Sequence, residues 1–234
     1  MERLSTGIDK LDELIMGYPK GKTILVSGDS GTGKTILALH FLNSCCKKGL
    51  KCVYIATEEI PEDLKTQARG FGWDLSKYEE EGLLEIVKIL EQRSKETELA
   101  VNIQYKDQQR NLIEIYNDIP KGIDVVIIDN IGVFAIGMAI EDIRDQLDLL
   151  VYKLNELKCT SLLVCDEAVG KKTNDVAMYS VYGGIKLLKR ENPFTNRRER
   201  VIDIVKMRNT KIPIDYILYD ICSNGIDIIS KIEL

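Results

Sequence analysis

The segment Gly28-Asp29-Ser30-Gly31-Thr32-Gly33-Lys34-Thr35 constrains this 234-residue chain more than any other. It follows an apolar run, Thr23 to Ser27, and leads into Leu37, Ala38, Phe41 and Leu42 at helical spacing. Glycines at this spacing let successive backbone N–H groups turn inward as an anion nest, and a helix starting near Lys34 adds its positive dipole end at the same place. Strand, Gly-x-x-x-x-Gly-Lys-Ser/Thr loop and helix in that order form a phosphate-binding loop. The nucleotide-binding set is Gly28, Asp29, Ser30, Gly31, Thr32, Gly33, Lys34, Thr35 and Ile36. Lys34 reaches toward the β and γ phosphates of a nucleoside triphosphate, and the Thr35 hydroxyl suits Mg2+, a hard ion that takes oxygen ligands.

Such a loop needs an α/β scaffold, and the remaining pattern predicts one. Cys52 to Thr57, Asp124 to Asp129 and Ser161 to Cys165 are short apolar runs of the kind buried in parallel sheets. Between the last two, Ile143, Leu147, Leu150, Leu154 and Leu157 make one apolar stripe, which predicts a helix from Glu141 to Leu157. A second helix is expected over Pro61 to Phe71, with proline suited to its first turn, and a third over roughly Asp107 to Ile119. After Val181 the texture changes to strands, Ile185 to Lys189, Val201 to Met207, Tyr216 to Cys222 and Ile226 to Ile229, with Asn224-Gly225 as a tight hairpin turn. The expected fold is α/β, a mostly parallel sheet flanked by helices with antiparallel strands at its C-terminal end. No repeat or linker interrupts the chain, so residues 1–234 are expected to form one domain, with Glu91 to Glu98 as a mobile surface loop.

Composition narrows the class. Hydrophobic residues at 44% and charged residues at 29% exclude a disordered chain and a membrane bundle alike. The apolar stretch Ile131 to Ile140 is about half the length of a membrane span. Met1 to Gly17 carries Glu2, Asp9, Asp12 and Glu13, unlike a secretory signal, so a cytoplasmic location is expected. Cys45, Cys46, Cys52, Cys159, Cys165 and Cys222 show no paired metal spacing and read as reduced, mostly buried thiols; His40 reads as a packing residue. A net charge of −5 argues against a basic nucleic-acid coat while allowing a local patch.

The acids on the strand ends carry the next step. Glu58-Glu59 close the run Cys52 to Thr57 at the carboxyl edge, where a carboxylate could polarise water attacking a γ phosphate; the spacing does not rank the two. Asp129 and the pair Asp166-Glu167 both end apolar strands and compete as the metal-coordinating position. With a glutamate as base, that position needs only an aspartate, and Asp129 is assigned to it beside Thr35. Asp166 and Glu167 then either sense the γ phosphate or its water, or cap a loop. No Asn/Thr-Lys-x-Asp guanine-reading motif occurs.

Several segments together resemble the single-domain KaiC-like ATPases of the RecA superfamily over nearly the whole chain. Ser5-Thr6-Gly7-Ile8-Asp9-Lys10-Leu11-Asp12 is similar to that family's opening, and Glu58-Glu59 to its paired glutamates. Gly72-Trp73-Asp74, Tyr78-Glu79-Glu80-Glu81-Gly82 and Lys206-Met207-Arg208-Asn209-Thr210 resemble further family segments. The chain departs from the pattern at Met16-Gly17, at Asn130 and at Asn209. The resemblance implies a RecA-like P-loop NTPase core, ATP and Mg2+ as cofactors, and catalysis by Glu58, Glu59 and Lys34. It also implies a ring, usually a hexamer, in which Lys206 and Arg208 reach a neighbouring subunit's γ phosphate. Tyr179-Ser180 falls near the family's phosphoacceptor pair, so Ser180 is a possible acceptor beside its plainer reading as a loop serine.

The leading expectation is therefore a ring-forming, Mg-dependent ATPase in a signalling or regulatory assembly, with an unidentified protein partner and no membrane role. One alternative is a RecA/RadA-like DNA-binding ATPase, suggested by Lys171-Lys172 in a loop and by Lys189, Arg190, Arg197, Arg198 and Arg200. Another is a nucleotide-gated binding module with negligible hydrolysis.

Overall fold

The computed structural model describes residues 1–89, 112–135 and 138–229. A short ribbon of β1 (Arg3–Leu4) and β2 (Tyr18–Pro19) flanks helix α1 (Asp9–Ile15). Among the described residues the main sheet holds nine strands, in the order β11-β10-β9-β8-β3-β7-β6-β4-β5. Its parallel part comprises β8 (Gly183–Glu191), β3 (Thr23–Gly28), β7 (Thr160–Asp166), β6 (Val125–Asp129), β4 (Cys52–Ala56) and β5 (Leu84–Lys88). The antiparallel strands β9 (Arg198–Met207), β10 (Ile217–Cys222) and β11 (Gly225–Ile228) extend it at the C-terminal end, as the sequence predicts.

All six residues of β3 are buried, because both faces of the sheet are covered. Ile24 and Val26 face the core shared with Leu37 and Phe41 of α2 (Lys34–Lys47); Leu25 faces the opposite core with Leu147 and Leu150. The latter belong to the helix Ile140–Glu156, here α5, which starts and ends one residue before the predicted span. Helix α3 (Pro61–Gly70) opens on its proline, and α4 (Leu75–Glu80) is capped by Asp74, whose carboxylate accepts the Lys77 N–H. Among the described residues no helix is long and apolar enough to cross a membrane. Five cysteines are buried, Cys222 is exposed, and all six are free thiols.

Several expectations need correction. Strand β5 has no counterpart in the sequence reading, because Glu85 and Lys88 break its apolar run at the sheet edge. The helix expected over Asp107 to Ile119 is a tight 3-10 turn over Leu112–Asp118 within the described residues; 107–111, like the loop expected at Glu91 to Glu98, lie outside them. Lys171-Lys172 open helix α6 (Lys171–Ser180) rather than a loop, and Ser180 ends that helix with its hydroxyl donating to the Val176 carbonyl.

The last hairpin turns one residue earlier than predicted. Cys222 pairs with Gly225, which leaves Ser223 and Asn224 as the turn and makes Gly225 the first residue of β11. Gly225 has φ +98, and a Cβ there would lie 2.3 Å from His40 Nε2. His40 fastens this hairpin to the N-terminal segment: Nε2 accepts the Ile226 N–H at 2.7 Å, while Nδ1 lies 3.2 Å from the Gly7 carbonyl oxygen, the arrangement of a neutral ring protonated at Nδ1. Trp73 packs edge-on against it at 4.5 Å between ring centres.

Burial pushes the His40 pKa down to about 4 from its ordinary 6.5, against the opposing pull of the Gly7 carbonyl. The folded state keeps this ring neutral where the unfolded chain would charge it, so its stabilising contribution is present above pH 6.5 and lost as pH falls toward 4. Denaturant unfolding of wild type and His40→Gln across that range should show wild type losing about 3 kcal/mol more than the variant.

Candidate functional site

The parallel register delivers four chain ends to one edge of the sheet. Gly28 on β3 pairs with Asp166 on β7, and Ala56 on β4 pairs with Asp129 on β6. Glu58 and Glu59 follow β4 by two and three residues. Asp166, Asp129, Glu58 and Glu59 border a cleft of about 270 Å3, which Ser30, Gly31, Gly33, Lys34, Thr35 and Ile36 also line. Open α/β sheets bind ligands at this edge, where neighbouring connections diverge to opposite sides.

The loop from Gly28 to Gly33 is shaped by close packing beneath it. Gly28 has φ +152, and a Cβ there would meet the Leu187 carbonyl oxygen at 2.2 Å. Thr32 closes the turn, its hydroxyl donating to the Asp29 carbonyl at 2.7 Å. The C-terminal strands brace the same loop: Tyr219 donates its hydroxyl proton to the Thr32 carbonyl, and the Ile221 side chain lies over Gly33. Lys189 adds an ammonium bonded to the Ser30 carbonyl at 2.9 Å. Helix α2 begins at Lys34 with no side chain capping it, so its first N–H groups face the cleft edge. Lys34 is itself buried, and its ammonium donates to the Gly28 and Asp29 carbonyls, each at 2.9 Å, and to Asp166 Oδ2 at 3.1 Å.

Thr35 and Asp129 meet directly. The threonine hydroxyl donates to Asp129 Oδ2 at 2.8 Å, and Tyr54 donates to the same oxygen at 2.7 Å. Burial raises the Asp129 pKa and the negative charge of Glu58 adds to the effect, while the Tyr54 and Thr35 hydrogen bonds and Lys34 oppose it. Glu59 is half-buried, and its pKa is also raised, by burial first and then by Asp129, Asp63 and Glu58, with Lys88 opposing. Burial lowers the pKa of Lys88, whose ammonium donates to the Thr57 carbonyl at 2.7 Å. Thr57 also anchors the residue after Asp129: its hydroxyl accepts the Asn130 N–H at 2.8 Å. The Asp129–Asn130 peptide bond is cis.

The structure thus gathers Lys34, Thr35, Glu58, Glu59 and Asp129 at one cleft and places Asp166 beside them. Glu167 turns away to an ion pair with Lys186. Lys206 and Arg208 stand apart, neither lining this cleft. Lys206 lies on β9 and donates to the Tyr179 carbonyl at 3.1 Å, whereas Arg208 falls beyond the strand, which ends at Met207. Arg208 is exposed, and its N–H donates to the Tyr182 carbonyl just past the strand end. Burial and the nearby Arg208 lower the Lys206 pKa.

Sequence reasoning missed Tyr54 and Gln67, and it read Lys189 as part of a basic cluster rather than as a neighbour of the phosphate loop. Tyr54 sits inside an apolar run, and the one available signal was that a buried tyrosine hydroxyl requires a partner. Gln67 lines the cleft from α3 with its Oε1 buried and unpartnered among the described residues, a placement only the tertiary structure shows.

Comparison with known proteins agrees with this geometry. The family model described as "ATPase: KaiC" matches residues 4–233. A UPF0273 protein of Pyrococcus furiosus is 30% identical across 97% of this chain and 93% of its own length. The circadian clock oscillator protein KaiC of Synechococcus elongatus is 29% identical over 97% of this chain, but the match covers only 44% of that longer protein. A stretch covering 36% of this chain is 45% identical to the circadian clock protein KaiC2 of Synechocystis, 15% of whose length is matched. The crystal structure of a KaiC-like protein from Pyrococcus horikoshii superposes with a TM-score of 0.76 at 27% identity, covering 98% of this chain and 99% of that one.

Replacing Tyr54 by Phe removes one of the two hydroxyl donors to Asp129 Oδ2 while keeping the ring. A hydrogen bond to a charged group contributes about 1.5–3 kcal/mol. Urea unfolding of Tyr54→Phe should show an unfolding free energy lower by that amount, seen as a lower midpoint with an unchanged slope.

Proposed function

The chain belongs to the KaiC ATPase family, and from that footing we propose that it binds ATP with Mg2+ at this cleft and hydrolyses it to ADP and phosphate. In this reading, residues 1–234 act as one domain that assembles into a ring, a hexamer, and passes the effect of hydrolysis to a protein partner in a signalling or regulatory assembly. The observation that carries it is the Thr35–Asp129 contact beside buried Lys34, with Glu58 and Glu59 on the adjoining chain end.

The residues fit the cofactors. Backbone N–H groups of the 28–35 loop and the uncapped start of α2 suit phosphate oxygens. Thr35 and Asp129 offer a hydroxyl and a carboxylate, the hard oxygen donors that Mg2+ takes while retaining waters. When bound, the ion would neutralise phosphate charge. Lys34 would hold the β and γ phosphates, and Tyr54 would keep Asp129 oriented as a ligand. Glu58 or Glu59 would orient a water and accept its proton; the raised pKa of half-buried Glu59 favours proton uptake there. Lys206 and Arg208, away from their own chain's cleft, would supply positive charge to the site of the next subunit.

Phosphate release with Mg-ATP, measured over a range of protein concentrations beside Lys34→Ala, tests this. The rate per chain should rise with concentration and vanish in Lys34→Ala, and Glu58→Gln with Glu59→Gln should identify the base. Arg208→Ala should lower the rate by about 10³-fold or more, the size of a trans-acting cation's effect. Bound ATP with no release above the Lys34→Ala background would replace the ATPase reading with that of a nucleotide-gated binding module.

A further inference from the structure

We propose that Asp166 is a built-in occupant of the terminal-phosphate slot, which a triphosphate must displace from Lys34, and that the displacement is passed to helix α6. The proposal rests on the nucleotide-binding reading above and adds a residue that separates triphosphate from diphosphate at that site.

The Lys34 ammonium has three protons and three acceptors: the Gly28 and Asp29 carbonyls and Asp166 Oδ2. Two of those acceptors are fixed backbone of the loop itself, so the carboxylate is the partner that an incoming anion would replace. The pair is well shielded, with side-chain exposures of 9% for Lys34 and 23% for Asp166. Strand β7 lies between β3 and β6, which sets Asp166 between the phosphate loop and Asp129, where the far end of a bound phosphate chain would lie.

A terminal phosphate reaching for Lys34 would either stand against the Asp166 carboxylate or push it aside. Two like charges a few ångströms apart in a partly desolvated cleft repel strongly. Phosphates held deeper in the loop by backbone N–H groups would feel this less. The neighbouring Glu167 offers Asp166 no relief, since it is another anion engaged with Lys186.

Asp166 is also a joint. Its Oδ1 accepts the Ala168 N–H at 3.0 Å, forming the cap of the short turn Glu167–Val169. Its carbonyl accepts from Asn174 Nδ2 on α6 at 3.3 Å. Asn174 Oδ1 is buried without a partner among the described residues, leaving the amide an open acceptor for a rearranged turn. The last turn of α6 presents the Tyr179 carbonyl that holds Lys206. Moving Asp166 therefore pulls on the helix that positions Lys206, linking occupancy of one cleft to a cation offered to the next.

Calorimetric titration of the full chain with Mg2+ plus either ADP or AMP-PNP, a triphosphate analogue that resists hydrolysis, tests the first half. Asp166→Asn should tighten AMP-PNP about tenfold, within the usual range of site couplings, and shift ADP by less than about twofold. Asp166→Ala should act in the same direction if the lost charge is the cause. Unchanged or weaker AMP-PNP binding in these variants, with both nucleotides bound by wild type, overturns the proposal while leaving the nucleotide-binding reading intact. A wild-type chain that binds neither nucleotide overturns both.

Amide hydrogen exchange of wild type needs no variant and tests the second half. AMP-PNP, but not ADP, should change exchange across Lys171–Ser180. Identical exchange with the two nucleotides overturns the relay.

Discussion

Burial of the strand Thr23–Gly28 on both faces is the constraint on which the rest of the structure depends. Its odd and even residues lock into separate cores, one built on the helix that follows the phosphate loop and one on Ile140–Glu156. A strand held from both sides keeps a fixed position along its axis, because any slip would carry apolar side chains out of both cores at once. That fixes where Gly28 emerges, and the parallel neighbours then bring Asp166 out level with it and Asp129 level with Val164 and Ala56, just before Glu58-Glu59. The cleft is a consequence of register before it is a consequence of any polar contact.

The charges gathered there are unevenly compensated. Lys34 is saturated by two carbonyls and a carboxylate, while Asp129 leans on two hydroxyls and Glu59 is crowded by three other acids. Raised carboxyl pKa values on one side of the cleft and a fully engaged ammonium on the other describe a site whose electrostatics favour added positive charge near Asp129 and resist added negative charge near Asp166. A polyphosphate that arrives with a divalent cation answers the first demand and must overcome the second.

Much of this was legible in the sequence. The phosphate loop, Asp129 and the paired glutamates are local: each is a short pattern whose chemistry depends on the strand it ends, and apolar runs of four to six residues mark those strands. The C-terminal strands could be read from alternation and turn residues, although the hairpin turn fell one residue off because Gly225 serves the contact with His40 rather than the turn itself. What stayed hidden depends on residues far apart in the chain. The pairings of Lys34 with Asp166 and of Tyr54 with Asp129 span separations of 132 and 75 residues. No single-sequence pattern encodes them, and the strand Leu84–Lys88 was invisible because an edge strand has one neighbour and tolerates charge.

The brace under the phosphate loop has a further consequence. Residues 28–35 carry the loop's whole sequence, yet Tyr219, which holds the Thr32 carbonyl, lies 187 residues further along the chain, and Ile221, packed on Gly33, lies on the same strand. The loop's sequence and the strand that braces it are therefore joined only by the folding of the sheet. The shape of the loop is thus a property of the assembled sheet rather than of its own eight residues.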